Sequence, residues 1–355
     1  MPVLNGGSFL RPAVESVLAQ TFPDFELLIV DDGSVDGSAA VAESVHDSRV
    51  VVIRNEHTRG LPAALNIGLR RASGEFVARL DQDDVARPDR IERQVAAFRR
   101  EPSLVLIGSQ ARLINGSGAA VGSVQRCLDA VSIRWYCLFD NPFIHSSVMF
   151  RRREVVNDLG GYDESLPYAE DWELWSRVVR RYDVRNLPER LVDYRTWPAS
   201  MMGAIESTPE HPRRAVFQDV IRTVIARQVD GTLGQDAASA EDVEEMTRFI
   251  LGVPANQAGR FLSRFDRLIR LFEARYPQAA GSDDFERTLA RQFDAIAYRL
   301  TPPSRLAALR VYLGAMARGP AIARRLSWSR MAVTAVCGPS GRDRLRRMRM
   351  THPAR

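Results

Sequence analysis

The stretch that most restricts the fold of this chain is an apolar run that ends in a cluster of carboxylates. Phe76–Leu80 follows Gly74 and leads directly into Asp81-Gln82-Asp83-Asp84, with Pro88 shortly after. A short apolar run between such breakers predicts a buried strand, and the functional crevice of an open α/β sheet lies beyond the carboxyl ends of its strands. Three acids at one strand end repel one another. They therefore indicate either a divalent-metal site or a solvated turn that caps the next helix.

Strand-like and helix-like spacings alternate through the first 80 residues. The segments before the acidic run are Phe9–Gln20, Phe25–Val30, Ser38–Val45, Val50–Ile53 and Leu61–Ala72. This alternation predicts a parallel sheet with right-handed crossovers. Because Phe25–Val30 ends in Asp31-Asp32, two strands bring acids to the same edge of that sheet. Neither a Gly-x-Gly-x-x-Gly turn nor a lysine-containing phosphate loop is present, so we expect metal and arginine to contact phosphate.

The mixed pattern continues to about residue 200. The further predicted segments are a helix over Pro88–Arg100, strands over Val105–Ile114, Ala119–Val124 and Phe143–Phe150, a turn at Gly160–Asp163, a helix over Tyr168–Val179 and a strand over Leu191–Arg195. From about Ile205 onward the spacing is helical. We therefore expect an α/β domain over residues 1–205 and an all-α region over residues 206–355.

Positive charge is concentrated near the C-terminus. All 49 basic residues are arginine; twelve of them, with the single acid Asp343, lie in Thr301–Arg355, a net charge of +11. The rest of the chain is therefore at −6 within the total of +5. The excess predicts an anionic partner, either a membrane surface or a nucleic acid. Residues 324–349 mix arginine with Trp, Leu and Met, which is typical of a helix on an anionic bilayer; a solvated tail is the alternative.

Several other classes of protein are not indicated. No run of eighteen apolar residues predicts a membrane-spanning helix, and the N-terminus is not typical of a signal peptide. The spacing of Cys127, Cys137 and Cys337 matches no metal framework, so we expect buried apolar side chains.

Seven motifs resemble, in order, those of the family 2 glycosyltransferases of bacterial polysaccharide and cell-envelope synthesis. The matching residues are Pro2–Gly6, Ser16–Phe22, Leu28–Ser34, Arg59-Gly60, Asn66–Gly68, Gly74–Asp84 and Glu170–Trp175. The resemblance covers about the first 200 residues. It implies the GT-A fold, an α/β fold with a mixed, mostly parallel sheet flanked by helices, here followed by an all-α region. It further implies a nucleotide-sugar half at 1–110 and an acceptor half at 111–205.

The resemblance also implies roles on the donor side. Asp83 would bind Mg²⁺ or Mn²⁺ that bridges the diphosphate, and Asp81 would be shared between ribose and metal. The other residues implied to bind the nucleotide sugar are Pro2, Asn5, Asp31, Asp32 and Arg59. For Arg59, an ordinary surface charge before a helix is an equal interpretation.

On the acceptor side, the resemblance implies that Asp171, in the Glu170-Asp171 pair, is the general base. Inverting sugar transfer needs such a base on the face opposite the leaving nucleotide, and it needs no covalent nucleophile. From the sequence alone, a purely structural role is the stronger interpretation, because carboxylates are favoured in the first turn of a helix. The adjoining Trp172 and Trp175, together with the resemblance, favour the catalytic role. Weaker candidates for acceptor contact are His145, Tyr162 and Trp172; a core histidine that is satisfied by its neighbours is the alternative for His145.

Three positions depart from the family pattern. The apolar residues that normally precede the Pro-Val-x-Asn turn are missing before Met1, so we expect a shortened first strand and a true start upstream. Leu4 stands where the family usually has tyrosine. Tyr194–Pro198 lacks the histidine that some relatives use as a further metal ligand.

Three functions compete at this stage. The first is an inverting, metal-dependent glycosyltransferase with a nucleotide-diphosphate sugar donor and a glycan or lipid-linked acceptor. We expect it to be cytoplasmic, or peripheral on the inner face of the plasma membrane, without a nucleic-acid partner. The second is a sugar nucleotidyltransferase-like enzyme, for which Asn5–Ser8 is a poor version of the required glycine-rich basic loop. The third is a non-catalytic nucleic-acid-binding protein, which leaves the acids unexplained.

Overall fold

The computed structural model describes residues 1–197, 200, 213–235, 237–250, 258–300 and 305–326. The basic segment 327–355, with Cys337 and all but the first three residues of the proposed membrane-surface helix, lies outside these residues. Contacts separate one unit, Met1–Cys137 with Asn141–Val224, from a second, Leu138–Asp140 with Ile225–Arg355. The sequence boundary at 205/206 falls in an undescribed stretch and stays a prediction.

A three-stranded parallel sheet begins the first unit. Its strands are β1 (Pro2–Val3), β2 (Leu27–Asp31) and β3 (Val50–Arg54), in that spatial order. They alternate with the helices α1 (Leu10–Leu18), α2 (Ser38–Glu43) and α3 (Leu61–Arg71). The apolar residues of α1 recur at helical spacing, and that face is buried against the sheet. The predicted alternation of parallel strands and helices is present here.

A mixed sheet forms the rest of the α/β architecture. Its strands are β4 (Phe76–Ala78), β5 (Val85–Ala86), β6 (Leu104–Ile114), β7 (Ala120–Val124), β8 (Met149–Arg151) and β9 (Asp183–Arg195). The order is β4-β8-β6-β9-β5, with β7 beside β6; β6 and β9 are parallel, and the other pairs are antiparallel. The helices of this part are α4 (Arg90–Arg100), α5 (Ala130–Tyr136), a π-helical segment (Arg153–Asp158) and α6 (Glu170–Arg181).

The acidic strand β4 pairs with β8 and does not extend the parallel sheet. A cavity of about 730 Å³, lined mainly by apolar side chains, has residues of both β2 and β4 in its wall. Within the parallel sheet, the ladder between β1 and β2 is two residues long, with Pro2 opposite Val30 and Val3 opposite Asp31. The first strand is therefore short, as expected, and the strand with the acids belongs to the mixed sheet.

The predicted strand over Phe143–Phe150 is wrong in its first half. His145–Ser147 is a 3₁₀ turn, and the strand begins only at Met149. Both the backbone N–H and the hydroxyl of Ser147 donate to the carbonyl of Ile144, each at 2.8 Å. A serine that bonds locally in this way gives the backbone an alternative to a strand ladder.

The described residues of the C-terminal region form helices joined by short turns, as predicted. The helices after β9 are α7 (Arg214–Leu233), α8 (Ala240–Ile250), α9 (Ala258–Arg275), α10 (Asp283–Leu300), α11 (Arg305–Ala317) and α12 (Pro320–Arg325). Aromatic contacts help to fill the core of the second unit, such as the stacked rings of Phe272 and Phe285, with centroids 5.6 Å apart. Among the described helices, none has the length and apolar character needed to cross a membrane.

Two glycines of the first unit give a matched test of how its helices and strands pack. A Cβ on Gly68, inside α3, would meet Val30 Cγ2 at 3.5 Å, an ordinary contact. A Cβ on Gly108, in β6, would come within 2.1 Å of Asn186 Oδ1 and 2.7 Å of Phe143 Cδ1. We expect Gly68→Ala to raise the free energy of unfolding by up to about 1 kcal/mol, because alanine favours a helix. We expect Gly108→Ala to lower it by about 1–3 kcal/mol through overpacking. Urea denaturation measures both, and equal midpoints for the two variants would contradict the packing.

Candidate active site

The turns that follow β1, β2 and β4 are tied together by hydrogen bonds. Gln82 accepts from the backbone N–H of Leu4 at 2.8 Å and donates to the carbonyl of Leu4 at 3.1 Å. The backbone N–H of Asn5 donates to the hydroxyl of Ser34 at 2.9 Å, and Asn5 Oδ1 accepts from the N–H of Val35 at 2.9 Å. Asn5 has a φ of +52°, a conformation that asparagine tolerates better than most residues. The acidic ends of strands from both sheets therefore meet in one place.

Asp31 and Asp32 occupy different surroundings at the end of β2. Asp32 is buried and accepts from the side chain of Asn55 at 2.8 Å and from the backbone N–H groups of Arg59 and Gly60 at 2.8–3.0 Å. One oxygen of Asp31 accepts from the N–H of Ser34. Its other oxygen is buried without a hydrogen-bond partner among the described residues and lies 3.6 Å from Arg54 Nε, in an ion pair. Asp32 thus organises the loop before α3, while Asp31 keeps acceptor capacity.

The other two donor-side candidates, Pro2 and Arg59, differ in exposure. Pro2 is buried in β1 opposite Val30, and the side chain of Arg59 is exposed. Pro2 can therefore contribute to the pocket only through packing, whereas the Arg59 side chain is accessible to a ligand.

A buried arginine holds Asp81. The Arg79 side chain is 4% exposed, and its Nη2 donates to Asp81 Oδ1 at 2.5 Å. Ser146 donates its hydroxyl to Asp81 Oδ2 at 2.7 Å. Burial raises the pKa of Asp81, but the charge of Arg79 and these two hydrogen bonds outweigh it and bring that pKa to about 2. Asp81 is therefore ionised, and each of its oxygens already has a partner.

Asp83 and Asp84 are held by the end of β9. Asp83 Oδ2 accepts from the indole N–H of Trp197 at 3.2 Å, and its carbonyl accepts from Arg195 Nε at 2.7 Å. Asp84 Oδ1 accepts from the N–H of Arg195 at 2.7 Å, while its other oxygen is buried without a hydrogen-bond partner in the described structure. Burial, followed by the negative charge of Asp81, raises the pKa of both carboxyls. The segment that lacks the expected histidine thus contributes Trp197 to Asp83.

These acids fit a cation that is held jointly with a phosphate ligand. Asp83 is partly exposed, and mutual repulsion with Asp81 destabilises its charge. The described residues contain no group of three or more His, Cys, Asp or Glu that could hold a metal alone. Mg²⁺ is usually bound by one or two carboxylates together with substrate phosphates and water. The donor set therefore suits a metal that arrives with a diphosphate.

The Glu170-Asp171 pair begins α6. One oxygen of Asp171 accepts from the N–H of Trp172 at 2.7 Å, and the other accepts from Asn141 Nδ2 at 2.6 Å. Burial is the main cause that raises the pKa of Asp171 to about 6. Burial, followed by the charge of Asp171, raises the pKa of Glu170 to about 8. At neutral pH, Asp171 is therefore ionised and Glu170 carries a proton.

The three weaker acceptor candidates lie beside this pair. His145 Nε2 is 2.9 Å from the hydroxyl of Tyr162, and its Nδ1 is 3.8 Å from Asp171 Oδ2. Burial, with the charge of Arg79, lowers the pKa of His145 well below its usual value, so the ring is neutral. Trp172 is 3% exposed and donates its indole N–H to the carbonyl of Cys137 at 2.8 Å. His145 and Tyr162 face Asp171, whereas Trp172 packs into the core.

Four side chains that hold this site together were given no role from the sequence. Arg79 was detectable, because it is a charged residue in an otherwise apolar run. Asn141 and Ser146 carry no local signal, since their partners lie 30 and 65 residues away. Asn66 makes reciprocal bonds of 2.9 Å with the backbone N–H and carbonyl of Tyr162, 96 residues away. The contacts of Asn66, Asn141 and Ser146 were not predictable, because they join distant segments of the chain.

Comparison with known structures agrees with the fold. Staphylococcus aureus TarS 1-349, solved in complex with UDP-GlcNAc, superimposes with a TM-score of 0.53 at 18% sequence identity. The match covers 94% of this chain and 88% of that structure. The GT-A-like α/β fold with a helical C-terminal region is therefore confirmed.

Comparison with known sequences identifies the family. An uncharacterised glycosyltransferase of Haemophilus influenzae is 32% identical over 202 residues, 54% of this chain and 62% of that protein, so the match spans less than two thirds of that relative. The amylovoran biosynthesis glycosyltransferase AmsE of Erwinia amylovora is 34% identical over 190 residues, 52% of this chain and 70% of AmsE. The family model described as glycosyl transferase family 2 matches residues 1–160, which include both acidic strand ends. The resemblance seen in the motifs is thus confirmed, and this chain belongs to glycosyl transferase family 2.

Proposed function

We propose that this chain is an inverting, metal-assisted glycosyltransferase. It would move a sugar from a nucleotide-diphosphate sugar to a hydroxyl of a polysaccharide or lipid-linked acceptor. The observation that carries this proposal is the short path between two groups of carboxylates: Ser146 contacts Asp81, and the adjacent His145 lies 3.8 Å from Asp171. The acids after β4 can bind the leaving diphosphate through a metal, and the Glu170-Asp171 pair can deprotonate the attacking hydroxyl. A displacement with inversion requires both actions.

Asp83 is the residue that we expect to hold Mg²⁺ or Mn²⁺. It is partly exposed, and the N–H of Trp197 directs its carboxylate. The two oxygens of Asp81 are already used by Arg79 and Ser146, so we give Asp81 a secondary share in metal or ribose binding. When bound, the metal would neutralise charge that develops on the leaving diphosphate.

We assign the nucleotide to the turns after β1 and β2. Asp31 has a carboxylate oxygen without a hydrogen-bond partner, so it is the stronger candidate to accept an N–H of the base. Asp32 would act by shaping the loop, and the exposed side chain of Arg59 would contact base or phosphate. Asn5 and Pro2 would form the floor of this pocket.

Asp171 is the proposed general base. Its ionised carboxylate would take the proton of the acceptor hydroxyl. The oxygen of that hydroxyl would then form the new bond to the anomeric carbon of the donor sugar. The bond from this carbon to the diphosphate breaks, and its electron pair leaves on the phosphate oxygen. Attack from the side opposite the leaving group inverts the anomeric centre. Glu170, neutral at pH 7, would be a hydrogen-bond donor in this region, and His145 and Tyr162 would border the acceptor.

The acceptor class and the location follow from the relatives and the charge pattern. The name of AmsE, amylovoran biosynthesis glycosyltransferase, supports a polysaccharide acceptor. The net charge of +11 in residues 301–355 supports attachment to an anionic membrane. We therefore place the protein in the cytoplasm, or peripherally on the inner face of the plasma membrane.

The metal role of Asp83 can be tested by substitution. We expect Asp83→Ala to lower turnover by about 100-fold or more, because the charge on the leaving diphosphate loses its compensation. Nucleotide release from a panel of nucleotide sugars, with Mn²⁺, Mg²⁺ or a chelator, measures this. Asp89→Ala is the control, since Asp89 forms surface pairs with Arg87 and Arg93. Undiminished, metal-dependent turnover in Asp83→Ala would show that the metal binds elsewhere.

The base role of Asp171 predicts a pH dependence. The active form is deprotonated, so kcat/KM should fall as the pH is lowered through about 6, where the carboxyl takes up a proton. Asp171→Asn should lose about 10²–10⁴-fold in turnover while keeping its affinity for the donor. Rates between pH 5 and 9 and titration calorimetry test both points, with Asp158→Asn as a control. An Asp171→Asn enzyme with full turnover would assign the base to another residue.

Glu170 should make stability depend on pH. Its pKa is about 8 in the folded protein and about 4.5 when unfolded, so the folded state binds an extra proton between these values. Stability from this group is therefore complete below pH 4.5 and is lost as the pH rises through 8. We expect Glu170→Gln to match wild type at pH 5 and to melt at a higher temperature at pH 8. The exposed Glu15→Gln variant is the control. A melting difference that does not change with pH would contradict the buried, protonated state of Glu170.

A further inference from the structure

Asn141 contacts Asp171 although 30 residues separate them in the chain. Its Nδ2 donates to Asp171 Oδ2 at 2.6 Å, while Oδ1 of the same carboxylate accepts from the backbone N–H of Trp172 at 2.7 Å. Each oxygen therefore has one donor and keeps further lone pairs. Among the described residues, Asn141 makes the one side-chain hydrogen bond to this carboxylate.

The protein fixes which end of the Asn141 amide faces Asp171. Asn141 Oδ1 accepts from the backbone N–H of Phe143 at 3.0 Å. A backbone N–H can be accepted only by the amide oxygen, so the NH₂ group must point at the carboxylate. Phe143 itself is 1% exposed and lies edge-on to Trp175, with centroids 6.3 Å apart. The donor is thus held by the buried core, independently of the state of Asp171.

An amide NH₂ group discriminates between the two forms of a carboxyl. It can donate to a carboxylate, but it cannot accept the proton of a carboxylic acid. A donor of this kind therefore favours ionisation, against the burial that opposes it.

The other groups around Asp171 do not replace this donor. Asp81 opposes its ionisation, and Arg79 favours it from a distance. His145 lies 3.8 Å away, beyond hydrogen-bond range, and contacts Tyr162 through its other nitrogen.

We propose that Asn141 is a positioning residue that orients the Asp171 carboxylate toward the acceptor hydroxyl and keeps it ionised. This inference rests on the proposed role of Asp171 as the base. The amide acts through Asp171 and itself exchanges no proton with substrate. The lone pair that Asn141 leaves on Oδ2 is the one that would receive the hydroxyl proton.

Asn141→Asp is the sharpest test. The variant keeps an oxygen for the N–H of Phe143 but replaces the donor with a second carboxyl, so the two carboxyls must share a proton. We expect kcat at pH 7 to fall about 10–100-fold, with the acid limb of the pH profile shifted to higher pH and the KM for the donor sugar unchanged. Asn115→Asp is the matched control, because Asn115 Oδ1 only accepts bonds, from Ser117 and Ala119.

A second readout does not require activity. Carboxyl ¹³C NMR on aspartate-labelled protein, with the Asp171 signal assigned from Asp171→Asn, reports the titration of Asp171 directly. We expect Asp171 to titrate at higher pH in Asn141→Asp and Asn141→Ala than in wild type, even if no sugar transfer is found. An unchanged titration would overturn the proposal, as would wild-type kcat and pH profile in Asn141→Asp. If thermal melting shows that neither variant folds, Asn141 holds the loop and the proposal is wrong.

Discussion

The buried ion pair between Arg79 and Asp81 is the interaction on which the rest of this site depends. A guanidinium that is 4% exposed is costly unless a carboxylate compensates it, and Asp81 does so at 2.5 Å. Nε and Nη1 of Arg79 are buried without hydrogen-bond partners among the described residues. Asp81 therefore compensates the guanidinium charge on one side only. That charge extends to Glu170 and Asp171, where it favours ionisation, and to His145, where it favours the neutral ring. One cation thus links the acids of β4 with those of α6.

The carboxyls around this arginine differ in protonation because their surroundings differ. Asp81 touches the cation and has a pKa of about 2, whereas Asp171 and Glu170 are more remote and have pKa values of about 6 and 8. Sites that perform acid–base chemistry commonly separate the pKa values of neighbouring acids in this way. An aspartate can therefore bind a cation at one end of the site, as Asp81 does, and accept a proton at the other end, as proposed for Asp171.

The acids after β2 and β4 were predictable, because each group lies at the end of an apolar run and that pattern is local. Asp171, which begins a helix, was assigned only through the family resemblance. The partners of these acids were not predictable. Asn141 reaches Asp171 across 30 residues and Ser146 reaches Asp81 across 65, and no spacing rule reaches that far. The bonds of Asn66 to the backbone of Tyr162 span 96 residues. The error at His145 has the same origin, since an apolar run predicts a strand and gives no account of serine hydroxyls that bond to the backbone. The fold class survives such errors, because it depends on the alternation of elements and not on single turns.

The bonds of Asp32 have a consequence for phosphate binding. The backbone N–H groups of Arg59 and Gly60, where α3 begins, are a natural anion site, since the first N–H groups of a helix lack partners within it. In this protein, the carboxylate of Asp32 already fills that position and acts as a built-in counterpart of a phosphate. In the proposed donor complex, a diphosphate would therefore not find these N–H groups free. It would have to be neutralised beside Asp83, at the end of β4, because Asp32 already occupies the start of α3.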